Sequence, residues 1–141
     1  MPLQVLMVED NPGDVRMMTE AFKEVGSPAE LHVARDGAEA LLVLGNRSPG
    51  HPMPDLILLD LNLPKKSGHE VLAAIKEDER LRLIPVVVLT SSRAREDIVT
   101  SYRLKANSYV SKPASLESFI SVAQSIKNFW MSAATLPGRL H

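Results

Sequence analysis

A chain of 141 residues, 45% of them hydrophobic, carries enough apolar material for one compact domain that buries roughly two-thirds of its unfolded surface, and too little for a second full domain. Its 16 Lys plus Arg face 17 Asp plus Glu, a formal net charge of -1, so no basic excess is available to hold a phosphate backbone and direct nucleic-acid binding is not expected. With no cysteine, a disulfide framework, a thiolate metal site and a cysteine nucleophile are all excluded.

The first ten residues have no basic region, and their apolar run is cut off by acids after Val8. No apolar stretch approaches the ~20 residues needed to cross a bilayer, so a cytoplasmic protein without membrane contact is expected. Leu3 to Val8 is the first of five β-rich runs. Asn11-Pro12 then reads as a helix cap with Pro at the first helical position, and Val15, Met18 and Phe22 recur at helical steps until Gly26-Ser27-Pro28. Glu30 to Ala34 is the second run, and Asp36-Gly37 opens a helix carrying Ala38, Leu41 and Leu42. Asn46 to Pro54 is too rich in Pro and Gly for regular structure and reads as a surface loop. Asp55 to Asp60 is the third run, followed by a helix opened by Ser67-Gly68 and carrying Val71, Leu72 and Ile75. Ile84 to Thr90 and Ser108 to Ser111 are the fourth and fifth runs, with helices over Ser92 to Leu104 and from Ser115 to about Met131. The tail from Ala133 on, containing Pro137-Gly138, is expected to fray.

The first, third and fourth runs are apolar on consecutive residues, which suits strands covered on both faces. Strict βα alternation therefore predicts an α/β fold: a doubly wound parallel sheet with right-handed crossovers and helices on both sides. Ligands of such a sheet bind outside the carboxyl ends of its strands. Those ends carry Glu9-Asp10, Asp60, Thr90-Ser91 and Lys112-Pro113, whereas the second strand ends in Ala34-Arg35.

Three carboxylates on one edge repel each other unless a cation sits among them, and oxygen ligands with room for water and phosphate favour Mg²⁺. Asp60, which ends an apolar strand, is the carboxylate best placed to attack phosphorus. Lys112 supplies a second positive charge and Thr90 a hydroxyl donor, so a phosphoryl transition state on Asp60 would meet groups already in position. Read singly, each residue has a plainer role: an acidic helix cap, a strand terminator, a solvated lysine, a β-branched strand residue. His32, His51, His69 and His141 show no paired metal spacing and read as ordinary surface or loop residues.

Glu9-Asp10, then Asp60-Leu61-Asn62-Leu63-Pro64 with Gly68, then Thr90, then Lys112-Pro113 form an ordered set. Over residues 3 to about 128 the chain resembles the response-regulator receiver domains of two-component signalling. The resemblance implies a flavodoxin-like (βα)5 fold with strand order 2-1-3-4-5. It implies Mg²⁺ bound by Asp10, Asp60 and the backbone carbonyl of Asn62, with Glu9 acting mostly through water. It also implies pairing of Lys112 with the phosphoryl group, a cis bond before Pro113, Tyr109 as an aromatic switch coupled to Thr90, and phosphate taken from a histidine of a sensor kinase. Val8 to Asp14, Leu61 to Lys66, and Phe129-Trp130 with Thr135-Leu136-Pro137 are similar to the stand-alone regulators paired with bacterial phytochromes, which implies a phytochrome-type kinase and a homodimer. Lys105-Ala106-Asn107-Ser108 departs from the family's usual Gly-Ala followed by acids.

The last helix is apolar over two stripes, Leu116, Phe119, Ile120 and Ala123, then Val122, Ile126 and Phe129. With Trp130 beyond them, Phe119, Val122, Ile126, Phe129 and Trp130 are candidates for a dimer or partner face, and a dimer-forming extension over 129–141 is expected. Only a short segment follows Asn128, so the signal is expected to leave by contact with another, unidentified protein. Two other readings compete: a receiver-like binding module that is never phosphorylated, and a small phosphatase with an aspartyl nucleophile. The latter usually places an acid two residues after the nucleophile, where this chain has Asn62.

Overall fold

The expected alternation is present in the computed structural model, which describes residues 2–26, 29–46 and 53–137. The elements are β1 (Leu3–Val8), α1 (Pro12–Glu24), β2 (Ala29–Ala34), α2 (Gly37–Gly45), β3 (Leu56–Leu59), α3 (Gly68–Glu77), β4 (Val86–Thr90), α4 (Arg95–Arg103), β5 (Ser108–Ser111) and α5 (Leu116–Ile126). A 3₁₀ turn covers Leu81–Leu83 and a π-helical segment covers Lys127–Ala133. The strands pair in parallel in the order β2-β1-β3-β4-β5. Ser27-Pro28, His51, Gly138, His141 and most of the expected Asn46 to Pro54 loop lie outside the described residues.

The consecutive apolar residues divide between two layers because successive side chains of a strand point to opposite faces. Leu6, Val8, Ile57, Leu59, Val86 and Val88 pack with Ala40 and Leu44 of α2 and Val71, Leu72 and Ile75 of α3. Val5, Met7, Leu56, Leu58, Val87 and Leu89 pack with Met18 and Phe22 of α1 and Phe119, Ala123 and Ile126 of α5. A strand buried on both sides gains from every residue, which is why alternation is missing from these runs.

Helix starts follow the expected caps. Asn11 Oδ1 accepts from the backbone N–H groups of Gly13 and Asp14 at 2.8 and 3.1 Å, Asp36 caps α2 through Glu39 N, Ser67 caps α3 and Ser115 caps α5. The α4 helix starts three residues later than expected. Ser92 Oγ donates to Asp97 Oδ2 at 2.5 Å and accepts from Ala94 N at 3.3 Å, so this serine satisfies the backbone in a turn instead of entering the helix.

Two corrections concern the C-terminal end. The α-helix stops at Ile126, and the wider π turn continues to Ala133, with Ala134 N donating to Phe129 O at 2.7 Å. Apolar periodicity does not separate the two helix types. Within the tail expected to fray from Ala133, Leu136 is nevertheless buried in the α1/α5 layer beside the core of that face, while residues 138–141 lie outside the described residues.

The close approach of α3 to the end of β3 depends on Gly68. A Cβ there would strike the carbonyl oxygen of Asp60 and lie 2.5 Å from Leu61 Cα, while Gly68 N donates to Leu61 O at 2.9 Å. Gly68→Ala is expected to destabilise the fold by about 1–3 kcal/mol, the usual range for overpacking a tight contact. A urea midpoint equal to that of the parent chain would show that α3 yields without loss.

Candidate functional site

The register places the site. Val8 of β1 lies opposite Leu59 of β3, so Glu9 and Asp60 are the next residues on neighbouring strands. The ladder continues one step past the strands, with Asp60 N donating to Val8 O at 3.1 Å and Lys112 N to Thr90 O at 2.8 Å. The chain leaves β1 toward β2 on one side and returns to β3 on the other, which makes the β1/β3 edge the topological switch point where such sheets bind ligands.

At this point Lys112 Nζ meets three carboxylates: Glu9 Oε1 at 2.6 Å, Asp14 Oδ2 at 2.8 Å and Asp60 Oδ2 at 2.8 Å. Glu9, Asp60 and Thr90 are buried, and Asp10 is exposed at the rim. Asp60 Oδ1 accepts from the backbone N–H of Asn62 at 3.2 Å, and Glu9 Oε2 from that of Asn11 at 3.2 Å. One carboxylate oxygen each from Glu9, Asp10 and Asp60 lies within 4.8 Å of the others. Sequence reasoning named Glu9, Asp10, Asp60, Asn62, Thr90 and Lys112, and the fold brings them together.

Asp14 escaped that reading. Its signal was its place three residues after the capping Asn11, in a first helical turn that starts directly at the site.

Burial opposes charge on all three central groups, and the neighbours decide the outcome. Burial pushes the Glu9 carboxyl up to about 7, assisted by the Asp60 charge and only partly countered by Lys112. Asp60 meets the same desolvation, but hydrogen bonds from Lys112 and Thr90 outweigh it and hold its carboxyl below the usual range. Lys112 is desolvated too, yet Asp14, Asp60 and Glu9 together raise its value and keep it an ammonium. The result is an ionised acid beside a fixed cation, with a second acid poised to lose its proton.

The acid set fits a hard divalent cation. All donors are oxygens, and Glu9, Asp10 and Asp60 each turn one carboxylate oxygen toward a common point where no nitrogen or sulfur ligand competes. One element of the expected site is overturned: the described residues contain no cis peptide, so the Lys112-Pro113 bond is trans. Trans is the lower-energy isomer of an X–Pro bond, and in it Lys112 already reaches its three acids.

Tyr109 is partly buried against the α2/α3 layer and donates its hydroxyl to Ser92 O at 2.9 Å, directly after Thr90-Ser91. Burial raises its phenol above the ordinary value. In the departing segment, Asn107 Oδ1 accepts from Val86 N at 2.8 Å and tethers the start of β4. His69 Nε2 lies 3.2 Å from Ser101 Oγ, joining α3 to α4 instead of facing the acids.

The candidate partner face divides. Phe119 is buried against the sheet and is not a surface residue, because Phe119, Ala123 and Ile126 recur at i, i+4 and i+7 on the inward stripe. Ile126 is likewise core, though one side of it reaches an apolar cavity of about 610 Å³ shared with Val122, Phe129 and Trp130 between α5 and the β4/β5 edge. Phe129 is 55% exposed and meets the Trp130 ring edge-on at 4.8 Å between centroids.

Glu9 links the site to pH. Its folded value lies above the ordinary 4.5, so its contribution to stability is full below about 4.5 and is lost as the pH rises through about 7. A divalent cation ligated by Glu9 must displace that proton. Cation affinity is therefore expected to rise with pH by up to about tenfold per unit until about pH 7 and then level off. Calorimetric titration across this range checks it, and Glu9→Gln should flatten the profile; a flat profile in the parent chain removes Glu9 from the cation site.

Comparison with known proteins agrees with this geometry. Residues 5–124 match the Response regulator receiver domain family. Response regulator Rcp1 of Synechocystis sp. is 44% identical over 138 residues, covering 96% of this chain and 94% of that protein. The crystal structure of the phosphorylated cyanobacterial phytochrome response regulator RcpA superposes with a TM-score of 0.89 at 45% identity, covering 97% of this chain and 99% of that one. The Mn(2+)-bound form of Rcp1 gives a TM-score of 0.86 at 43% identity, covering 96% and 99%. With its strand order, its buried acids and its lysine all in register, this chain belongs to the response regulator receiver domain family.

Proposed function

We propose that this receiver accepts a phosphoryl group on Asp60 from a phosphohistidine of a sensor kinase, with Mg²⁺ held by Glu9, Asp10, Asp60 and the Asn62 carbonyl. The observation that carries the reading is the buried, ionised Asp60 carboxylate hydrogen-bonded to Lys112 beside two further acids. In the step, a carboxylate oxygen of Asp60 forms a bond to phosphorus while the P–N bond to the kinase imidazole breaks, and the imidazole leaves with the bonding pair. Mg²⁺ supplies charge neutralisation for the phosphoryl oxygens. Lys112 holds positive charge at the same oxygens, and the Thr90 hydroxyl donates beside it. Asn62, in the position where a phosphatase would carry its acid, favours retention of the acyl phosphate over turnover of external esters.

The likeness to phytochrome response regulators supports a phytochrome as the sensor kinase. No described helix is long and apolar enough to cross a membrane, which is consistent with a cytoplasmic setting. Phosphorylation adds close to two negative charges beside Thr90 and biases the Ser92 carbonyl that Tyr109 holds, changing the α4/β5/α5 face read by a downstream protein. Incubation with acetyl phosphate and Mg²⁺ is expected to add the mass of one phosphoryl group to the chain and none to Asp60→Asn. No gain in the parent chain would favour an inert binding module.

A second copy of the chain is the proposed occupant of the apolar cavity at α5, since exposed Phe129 projects from its rim and continues its apolar lining. Phe129→Ser is expected to weaken self-association at least about tenfold in sedimentation velocity, the effect of losing one buried aromatic anchor. A monomeric parent chain at all concentrations and in both phosphorylation states would overturn the dimer.

A further inference from the structure

We propose that Asp14 is a positioning residue of the phosphoryl-transfer site, holding one corner of the Lys112 ammonium and competing for it with the incoming phosphoryl group. The inference rests on the reading of Lys112 as the phosphoryl partner. An ammonium offers three N–H groups. Here it meets three carboxylates, at 2.6 Å (Glu9), 2.8 Å (Asp14) and 2.8 Å (Asp60). A phosphoryl oxygen can gain the lysine only by taking a share from one of them.

The three acids are not equivalent. Glu9 and Asp60 follow neighbouring strands, are buried, and belong to the carboxylate set that can hold a cation. Asp14 comes from the first turn of α1, keeps a quarter of its side chain exposed, and stands outside that set. Its influence on the site therefore passes through the lysine. Asp14 also heads the neighbours that raise the lysine's affinity for its proton, in agreement with the short distance. The plainer role of a first-turn acid, stabilising the helix dipole, is already served at this end by Asn11, which accepts from two of the free N–H groups.

Phosphoryl donors are anions, so a fixed negative charge on the lysine weakens their capture more than the bond exchange that follows. Asp14→Asn is expected to lower the half-saturating acetyl phosphate concentration about tenfold, a factor typical of removing one nearby charge at a partly exposed site. The limiting rate should stay within about twofold, because the groups that act on the transition state are kept. Affinity for beryllofluoride, a phosphoryl mimic that needs no transfer step, should rise by the same factor, and Asp14→Glu should restore the parent values.

Asp14→Ser serves as a second neutral variant should Asp14→Asn fold poorly. A merely structural Asp14 would leave half-saturation unchanged or raise it in the folded variants, and either result overturns the proposal. If the parent chain itself gains no phosphoryl mass, the reading of Asp60 fails with it; if the parent is phosphorylated and the Asp14 variants match it, only the role of Asp14 fails.

Discussion

Everything at the functional edge depends on one ammonium held among carboxylates. Without Lys112, the ends of β1 and β3 and the first turn of α1 would bring Glu9, Asp60 and Asp14 together with no compensating charge, and desolvation would drive protons onto the buried Glu9 and Asp60. With it, the two buried acids part company: Glu9 stays near 7 while Asp60 is held ionised. The difference comes from environment, since both side chains end in the same chemical group. Both acids are bonded by Lys112, but Asp60 also has the Thr90 hydroxyl, whereas Glu9 feels the repulsion of the Asp60 charge.

The sheet makes this arrangement possible. A parallel ladder delivers the residues after β1, β3, β4 and β5 to one edge, and backbone hydrogen bonds at Asp60 and Lys112 carry the order of the sheet one residue into the site. The packing of Gly68 on Asp60 then ties the start of α3 to the acid itself. Positions of this kind leave little freedom for the reacting group, which is what a site built on charge and placement requires.

What was legible in the amino-acid order follows from this. Val-Val-Val-Leu and Leu-Ile-Leu-Leu announce strands covered on both faces; Glu9, Asp60 and Thr90 stand out because each directly follows or ends such a run, and Lys112 because it follows the fifth strand. Asp14 was hidden because its direction depends on where α1 sits against the sheet, and neither spacing nor composition reveals that. Phe119 and Phe129 belonged to competing stripes of one apolar helix, and only contact with β3 and β4 shows that the first is core. Ile126, between them, is core on one side and wall of a cavity on the other. The widening of the helix after Ile126 leaves no trace in residue type, because π and α turns accept the same side chains.

Leu136 gives the chain a longer physical unit than its family match, which ends at residue 124. The side chain acts as a plug on the layer formed by α1 and α5, so one residue well beyond the last α-helix belongs to the hydrophobic interior. Fusion partners, affinity handles or shortened versions designed from the family boundary would uncork that layer, and signalling measured on them would describe a different molecule.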